Sequence, residues 1–506
     1  MKKSFFVSTP IYYPSGNLHI GHTYTTTLAD VMARYKKENG YDVFFLTGSD
    51  EHGQKIEQKA NEVNKSPKEY VDGIVETFKH LWEVLDIQYD RFIRTTDDDH
   101  VKAVQKIFSY FLKQDLIYPS EYKGKYCISC EEFLTFEQMD ENFCHVVCKN
   151  KSIDFQEETY MLRVSNFKKF LQDLFKTNFL EPESRKKEML NNFIENDLED
   201  LSVSRINFSW GIPVLENSKH VIYVWIDALS NYITALGYGS DDDSMLKKYW
   251  SNESEVLQFV GKEITRFHSI YWPIILKSLD LKCPDKLLSH GWILSAGEKM
   301  SKSLGNVIDP VQLIEKYTSD AVRFYVINNL PTDRDGNLTQ ELFEESFNTH
   351  LANNVGNLIS RVSNMIIKYF DGKLPKIKID EKHFLVEKGI KTIQEYKKLM
   401  DKYNMSEAIQ EVLKLSQECN KFIEDSKPWV LEKENKIEEL NQVLSILQKN
   451  IIIISFLLKP VLTKSYSKMV EQFGVDQNEI NFDNLERNEF SYKKIVDKLV
   501  LFERIK

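Results

Sequence analysis

The sequence has no apolar run long enough to cross a lipid bilayer, which takes about 20 residues. Its most apolar stretch, residues 451–458, is much shorter and is flanked by Lys449 and Lys459. The first residues lead directly into a short apolar segment, without the long apolar run and small-residue cleavage site of a secretory signal. We therefore expect a buried helix at residues 451–458 and a cytoplasmic protein with no membrane partner.

Cysteine is scarce and positive charge is not in excess. The net charge is −10, which gives no indication of a nucleic-acid partner, although binding depends on local patches rather than on the total. Only six of the 506 residues are cysteine, and four of them crowd into one loop-rich segment: Cys127, Cys130, Cys144 and Cys148. In a cytosolic chain this crowding favours a metal site over disulfide bonds.

Strand and helix patterns alternate along much of the chain. Residues 18–37 predict a helix, and Asp309-Pro310 predicts a helix start. The predicted strands are residues 4–8, 43–46, 221–225, 256–260 and 287–294. This rhythm is typical of a doubly wound parallel α/β sheet, in which ligands bind at the carboxyl ends of the strands.

Breaks in this rhythm divide the chain. Residues 115–213 read as an insertion that carries the cysteines, and residues beyond 337 are helical by apolar spacing. The predicted parts are residues 1–114 and 214–290 for the two halves of the sheet domain, 115–213 for the insertion, 291–336 for a loop-bearing connection and 337–506 for a helical domain.

His19-Ile20-Gly21-His22 follows the first predicted strand and opens a helix. The two histidines are three apart and share a helix face, and Gly21 allows a nucleotide to approach the backbone. Imidazoles beside the N–H groups of a helix N-terminus form a site for anionic phosphate. An isolated His-x-x-His is more often a pair of surface or core histidines, but the preceding strand and glycine-bearing loop favour the phosphate site.

Lys299-Met300-Ser301-Lys302-Ser303 is a second short motif that suits phosphate binding. We call it and the His19–His22 motif the two signature words. Lysine is a charge on a flexible stem, suited to following phosphates as charge moves, whereas a plain Lys/Ser loop is usually solvent-facing. Either exact word is expected by chance in roughly one chain in a thousand of this length. Together they predict one ATP site that uses His19, Gly21, His22, Lys299, Ser301, Lys302 and Ser303.

The pair resembles the signature motifs of the class I aminoacyl-tRNA synthetases, and the context resembles the methionyl-tRNA synthetase family over nearly the whole chain. Further matching segments are residues 10–13, 47–53, 223–228 and 267–273. The resemblance implies that Asp50 takes the α-ammonium group of methionine. It also implies a side-chain pocket formed by Ile11, Tyr13, Trp225, Ala228, Tyr232, Ile264, Phe267 and His268. A flexible thioether gains from dispersion and sulfur–aromatic contacts in such a pocket, although each aromatic alone is equally typical of ordinary core. Leu229-Ser230 departs from relatives that carry a proline here.

The cysteine cluster resembles the zinc knuckle of the family, and four thiolates suit tetrahedral zinc. The pair Cys144-x-x-x-Cys148 departs from the usual two-residue spacing, and His145 offers a competing ligand. A site with four protein ligands is structural, because it leaves no position for a catalytic water. In the helical part, Asn357 and Arg361 resemble the anticodon-reading helix of the family, and Trp429 resembles its partner turn. Arg and Asn hydrogen-bond base edges and Trp stacks on bases.

The sequence thus predicts a Rossmann-like catalytic sheet, an inserted zinc-knuckle domain and a C-terminal α-helical anticodon-binding bundle. The expected reaction joins L-methionine to tRNA(Met) with ATP, with Mg²⁺ on the phosphates, structural Zn²⁺ and a monomeric enzyme. One alternative is a class I synthetase for another amino acid. The large synthetases for branched-chain amino acids carry an editing insertion longer than the one here. A cysteine-specific synthetase that binds its substrate through a metal would need Cys or His ligands in the pocket, where this chain has Ile11, Tyr13 and Trp225. The other alternative, a non-catalytic RNA-binding relative, would tolerate a broken signature word, and both words are intact.

Overall fold

The computed structural model describes residues 2–129, 132–134, 136–196, 198–295, 297–299, 308–487, 490, 492–495 and 500–505. Its strands are β1 (Ser4–Tyr12), β2 (Asp42–Ser49), β3 (Arg91–Arg94), β4 (Ile117–Cys127), β5 (Glu132–Leu134), β6 (Ile153–Leu162), β7 (Leu180–Glu181), β8 (Leu201–Ser202), β9 (Ser204–Arg205), β10 (Val221–Ile222), β11 (Glu255–Gly261), β12 (Lys286–His290), β13 (Ile293–Ser295), β14 (Glu298–Lys299) and β15 (Gly336–Asn337).

The α-helices of the same residues alternate with these strands at first and then dominate the C-terminal part. They are α1 (Ile20–Glu38), α2 (Gln54–Glu62), α3 (Pro67–Val84), α4 (Asp98–Lys113), α5 (Lys168–Leu174), α6 (Glu183–Met189), α7 (Val224–Thr234), α8 (Ser244–Tyr249), α9 (Trp272–Ser278), α10 (Pro310–Tyr317), α11 (Ser319–Asn328), α12 (Gln340–Ser346), α13 (Asn357–Phe370), α14 (Phe384–Asp401), α15 (Met405–Ser426), α16 (Pro428–Lys433), α17 (Ile437–Leu458), α18 (Tyr466–Glu471) and α19 (Phe482–Arg487).

The central sheet has the strand order β3-β2-β1-β11-β12-β7, and every pairing in it is parallel. The chain winds outward from β1 in one direction and from β11 in the other, so the topological switch lies between these two strands. In open α/β sheets this is where a crevice forms for a ligand. The predicted doubly wound parallel sheet is confirmed, and β7 joins its edge although it lies in the segment predicted as an insertion.

Two hydrophobic cores lie on the two faces of the sheet. Alternate residues of β1 point to opposite faces, so Phe5 and Val7 belong to one core and Phe6 to the other. The first core is continuous with the C-terminal helices, and the second includes α4, α7 and α9. The helical bundle therefore shares its core with the central sheet.

Arg323 ties the bundle to α1. The side chain is fully buried, and its Nη2 lies 2.6 Å from Oδ2 of Asp30. The same guanidinium donates to the carbonyl oxygens of Val461 and Pro460, just after α17. A buried charge needs this degree of pairing to be tolerated, so the contact holds the end of the bundle against the helix that begins at Ile20.

Two predicted strands were wrong in extent. The segment at residues 221–225 contributes only β10, and α7 begins at Val224, because an apolar run fits a buried helix as well as a strand. The segment at residues 287–294 breaks into β12 and β13. A Cβ at Gly291 would lie 2.2 Å from the carbonyl oxygen of Arg334, so the chain turns here past another backbone. The helix start at Asp309-Pro310 is confirmed, since Oδ1 of Asp309 accepts from the N–H of Val311.

Helix α17 is the one helix among the described residues that is long and apolar enough, by length and composition, to cross a membrane. Its most apolar window is 89% buried inside the protein. This agrees with the predicted buried helix at residues 451–458, which forms the C-terminal third of α17.

The inserted segment is built on a long antiparallel ribbon of β4 and β6, extended to the sheet β5-β4-β6-β8. The pairing runs from Ile117 opposite Leu162 to Tyr126 opposite Ile153. The ribbon therefore carries the cysteine-bearing segment at its far end.

Candidate functional site

His19 and His22 cap the N-terminus of α1. His19 is the N-cap residue, and its Nδ1 accepts a hydrogen bond from the N–H of Gly21 at 3.1 Å. Nδ1 of His22 accepts from the backbone N–H of His19 at 3.0 Å. A neutral imidazole that accepts through Nδ1 carries its proton on Nε2. The cap thus sets the tautomer of both rings and makes Nε2–H of each ring a donor.

Burial lowers the pKa of His22 well below its ordinary value, and the neighbouring His19 lowers it further. His22 is therefore neutral at physiological pH and acts as a hydrogen-bond donor rather than as a cation. Gly21 is required for a reason that the sequence did not show. A Cβ at this position would lie 2.8 Å from Cε1 of His19, so any other residue would displace the capping ring.

A cavity of about 510 Å³ opens beside this helix start, at the switch point between β1 and β11. We call it the central cavity. It brings together the residues predicted for the nucleotide and methionine sites whose side chains the structure describes: Ile11, Tyr13, His19, Gly21, His22, Asp50, Trp225, Ala228, Tyr232, Ile264, Phe267 and His268.

The apolar end of the central cavity is formed by aromatic rings from α7 and the turn before α9. The rings of Trp225 and Phe267 are stacked, with centroids 3.6 Å apart and planes 6° from parallel. Ala228 and Leu229 line the same end, so the position that departs from proline-bearing relatives does form part of the wall. Stacked rings make a flat apolar wall of the kind that favours a thioether.

His268 and Tyr232 supply the polar group of this end. Burial lowers the pKa of His268 to about 4, so the ring is neutral. Its Nδ1 donates to the carbonyl oxygen of Ile264 at 3.0 Å, which leaves Nε2 to accept from the Tyr232 hydroxyl at 2.7 Å. Burial raises the pKa of Tyr232, so the phenol keeps its proton for this bond.

Asp50 stands at the carboxyl end of β2, where its N–H donates to the carbonyl oxygen of Tyr12. The next residue, Glu51, is fully buried and bound by the guanidinium of Arg94 at 2.5 and 3.0 Å. The Thr96 hydroxyl also donates to Glu51, at 2.6 Å. This pairing holds the loop that presents Asp50 to the cavity.

Several lining residues were missed by sequence reasoning, most clearly Glu263 and Trp292. Nε1 of Trp292 donates to Oε2 of Glu263 at 2.9 Å, and a Cβ at Gly261 would lie 2.5 Å from Oε1 of Glu263. Both follow the carboxyl ends of β11 and β12. Applying the rule that ligands gather at such strand ends to the later strands would have found them.

The knuckle at the tip of the ribbon also reaches the central cavity, through Ser129, His145, Val147 and Cys148. Ligand atoms of Cys127, His145 and Cys148 all lie within 4.8 Å of one another. Sγ of Cys148 is 3.4 Å from Sγ of Cys127 and 3.6 Å from Nδ1 of His145. Tetrahedral zinc requires edges of about 3.8 Å between two sulfurs and about 3.5 Å between sulfur and nitrogen, so these three residues fit the metal.

Cys144 is not brought into this cluster, contrary to the predicted four-cysteine set. Its Sγ lies 3.9 Å from the carbonyl oxygen of Asn142, and the side chain is half-buried while His145 is buried. Cys144 and His145 each form an extended bridge, with Lys151 and Met139. Successive side chains of extended backbone point to opposite sides, so one of these two residues faces the cluster and the other turns away. Cys130 lies outside the described residues.

The second signature word is only partly described. The backbone of Lys299 pairs with Leu294 in β13, next to Ile293, which lines the central cavity. The word therefore begins at the edge of the cavity. Ser301, Lys302 and Ser303 lie outside the described residues.

A second, open groove of about 410 Å³ lies between α13 and α15 in the helical bundle, lined by Thr349, Asn353, Asn354, Asn357, Arg361, Gln417, Asn420, Lys421 and Glu424. Nδ2 of Asn357 donates to Asn420, and Nη2 of Arg361 lies 2.6 Å from Oε1 of Glu424. Trp429 is 42% exposed on α16 and does not line the groove. The structure thus brings Asn357 and Arg361 together and places Trp429 outside.

Comparison with known proteins identifies the class. The family described as tRNA synthetases class I (M) matches residues 5–145 and 137–363. This is more than half of the chain and includes the cavity residues from Ile11 to His268. The chain is a class I tRNA synthetase.

Relatives of higher sequence identity show which family within this class the chain belongs to. Methionine–tRNA ligase of Enterococcus faecalis is 48% identical over 97% of this chain and 75% of that protein, and methionine–tRNA ligase of Ureaplasma parvum is 46% identical over 100% and 98%. The structure of Mycobacterium tuberculosis methionyl-tRNA synthetase in complex with methionyl-adenylate matches with a TM-score of 0.94 at 32% identity over 100% of both chains. The chain belongs to the methionine–tRNA ligase family.

Proposed function

We propose that this chain activates L-methionine with ATP in the central cavity and transfers it to the terminal ribose of tRNA(Met). The observation that carries the assignment of the site is the continuity of one cavity from His19 and His22 to Trp225 and His268. A phosphate-binding helix start and an aromatic pocket in one space can hold two substrates with their reacting groups in contact.

Methionine is proposed to lie with its ammonium group on Asp50 and its thioether between Trp225 and His268. The ammonium pairing is charge-assisted, which makes it one of the stronger contacts available. The Tyr232 hydroxyl is held by His268, so a buried polar group is satisfied before the substrate enters. A branched apolar side chain would fill the same space without the sulfur–aromatic contacts.

ATP is proposed to lie with its phosphates at the start of α1. His22 and His19 donate from Nε2, and the positive end of the α1 helix dipole adds to the anion site. Glu263, which lines the cavity at the end of β11, is proposed to accept from the ribose hydroxyls. Lys299 and Lys302 with Ser301 and Ser303 would close over the phosphates, and Mg²⁺ would neutralise phosphate charge when bound.

In the first step a carboxylate oxygen of methionine attacks the α-phosphorus of ATP. The bond from this phosphorus to the bridging oxygen breaks, and pyrophosphate leaves with the electron pair. Positioning and stabilisation of the equatorial oxygens carry such a reaction, and donors that are already oriented cost no reorganisation. In the second step the 2′-hydroxyl oxygen of the terminal tRNA ribose attacks the activated carbonyl carbon. The bond from this carbon to the phosphate oxygen breaks, AMP leaves with the electron pair, and the hydroxyl proton is released to the leaving AMP or to water.

Zinc is proposed to be held by Cys127, His145 and Cys148, with Cys130 as the fourth ligand. With His145 as a ligand, the second half of the knuckle becomes His-x-x-Cys, which restores the two-residue spacing that Cys144 breaks. The metal would cross-link the tip of the ribbon and supply no catalytic water. The knuckle would then hold Ser129 and Val147 in the cavity wall.

The groove between α13 and α15 is proposed to take the anticodon of tRNA(Met), with Asn357 and Arg361 on base edges and Trp429 as a stacking surface beside it. Amide and guanidinium groups are suited to splayed bases. The proposed working form is a monomer in the cytoplasm, and light scattering on the purified protein tests the oligomeric state directly.

The decisive experiment is ATP–pyrophosphate exchange with each of the twenty amino acids supplied singly. We expect exchange with methionine alone at physiological concentrations, and we expect Lys302→Ala to abolish most of it. Exchange driven by another amino acid would overturn the assignment of the pocket, and an unaffected Lys302→Ala variant would overturn the role of the second word.

A further inference from the structure

Three buried side chains outside the central cavity form a continuous hydrogen-bonded unit. Oδ2 of Asp227 lies 2.7 Å from Nδ1 of His52, and Oδ1 lies 2.7 Å from Nε2 of His100. Nδ1 of His100 lies 2.7 Å from the Thr234 hydroxyl. The side chains of Asp227, His52 and His100 are 1%, 9% and 0% exposed, so water does not compete for these bonds.

The positions of the protons in this unit follow from the charge of the Asp227 carboxylate. Burial alone would raise the pKa of Asp227, but the two imidazoles hold it below its ordinary value. An ionised carboxylate only accepts, so His52 carries a proton on Nδ1 and His100 carries one on Nε2. The two histidines therefore use opposite ring nitrogens toward the same carboxylate.

The unit joins α4 to two elements that carry proposed methionine contacts, the loop after β2 and helix α7. His52 follows Asp50 by two residues in the loop after β2, Asp227 lies in the first turn of α7, and His100 lies in the first turn of α4. Helix α7 also carries Trp225, Ala228 and Tyr232 of the apolar wall. The bond between His52 and Asp227 thus spans the gap between the loop that presents the ammonium-binding carboxylate and the helix that presents the side-chain wall.

None of the three residues is among the described residues that line the central cavity. We infer that Asp227, His52 and His100 are positioning residues, which set the separation between Asp50 and the wall of α7 and thereby the fit of methionine. This inference rests on the proposed placement of methionine. Glu51 and Arg94 hold the same loop from the side of β3, so the loop is fixed at two neighbouring residues from two directions.

Because His52 and His100 use different ring nitrogens, the two amide residues provide a sharp test. The side-chain amide of asparagine places an N–H donor near the position of Nδ1, and that of glutamine places one near the position of Nε2. We expect His52→Asn and His100→Gln to keep the KM for methionine within about threefold of wild type. We expect His52→Gln, His100→Asn and Asp227→Asn to raise it about tenfold or more. The KM for ATP should stay constant throughout, because the histidine end of the cavity is untouched. Exchange kinetics measure the KM for methionine and the KM for ATP, and direct binding measurements check the affinity for methionine.

Asp320→Asn is the matched control for loss of a buried carboxylate. Asp320 is 2% exposed, and its two oxygens accept from the N–H groups of Lys464 and Ser465, away from the cavity. It should lower thermal stability without changing the KM for methionine. Equal effects of the two isosteres at each histidine, or parallel rises in both KM values, would overturn the inference. Absence of methionine-dependent exchange in the wild-type protein would instead overturn the proposed function.

Discussion

Nδ1 of His22 accepts the backbone N–H of His19 at 3.0 Å, and this bond does two things at once. It completes the cap of α1, and it sets the Nε2–H tautomer that a phosphate oxygen can accept from. Structure and proposed chemistry therefore use different nitrogens of the same ring, which allows them to be separated by mutation.

His22→Asn retains an acceptor near the position of Nδ1 and lacks the Nε2 donor. We expect the cap to survive, so the free energy of unfolding should change by less than the about 1 kcal/mol of a lost cap. The rate of methionine-dependent exchange should fall about 100-fold or more, as for loss of one oriented donor. His80→Asn, at an exposed histidine of α3, is the control and should leave the rate unchanged. Parallel loss of stability and rate would show that His22 only caps the helix.

The buried neutral His268 makes stability depend on pH. Its pKa is about 4 in the folded protein and about 6.5 when unfolded. The unfolded chain binds the extra proton between these values, so stability is full above pH 6.5 and falls as pH decreases toward 4. The contribution is on the order of 3 kcal/mol.

His268→Gln keeps an acceptor for Tyr232 and cannot titrate. Urea unfolding at pH 7 and pH 5 should show a smaller loss of stability in this variant than in the wild type. All other side chains are the same in the two proteins, so the difference isolates His268. Identical pH profiles for the two proteins would contradict the assignment.

Measurements of zinc binding distinguish whether His145 or Cys144 is the metal ligand. We expect His145→Ala to lose zinc during dialysis against a chelator, while Cys144→Ala retains about one zinc per chain. In the cobalt-substituted protein, Cys144→Ala should keep the full thiolate-to-cobalt charge-transfer absorption. Loss of zinc from Cys144→Ala with retention in His145→Ala would restore the four-cysteine set.

Arg361→Ala is expected to weaken tRNA recognition without affecting amino-acid activation. A guanidinium contact to a base edge contributes about 1–3 kcal/mol, so the KM for tRNA(Met) should rise about tenfold or more. Exchange in the absence of tRNA should stay at the wild-type rate, because the groove is separate from the central cavity. Lys414→Ala, an exposed cation of α15 outside the groove, is the control. An unchanged KM for tRNA in Arg361→Ala would exclude the groove as the anticodon site.

Much of the site could be predicted from the order of residues along the chain. His19 and Asp50 were placed correctly because each follows an apolar strand, and strands of a parallel sheet end at one edge. Glu263 and Trp292 sit at the same edge and were missed, because no short word marks them. The run at residues 221–225 was assigned to a strand because periodicity does not separate a buried strand from the first turn of a buried helix.

By itself the sequence determined the doubly wound sheet, the helical C-terminal part and the two signature words, and the family resemblance supplied the set of side chains that line the central cavity. These depend on local patterns and on words whose spacing is short. Only the tertiary structure decided that His145 rather than Cys144 faces Cys127, that Gly21 makes room for the ring of His19, and that Asp227 joins His52 to His100. Each of these relations depends on which way a side chain points or on groups more than 15 residues apart, and such contacts are made by packing rather than by any local preference of the chain.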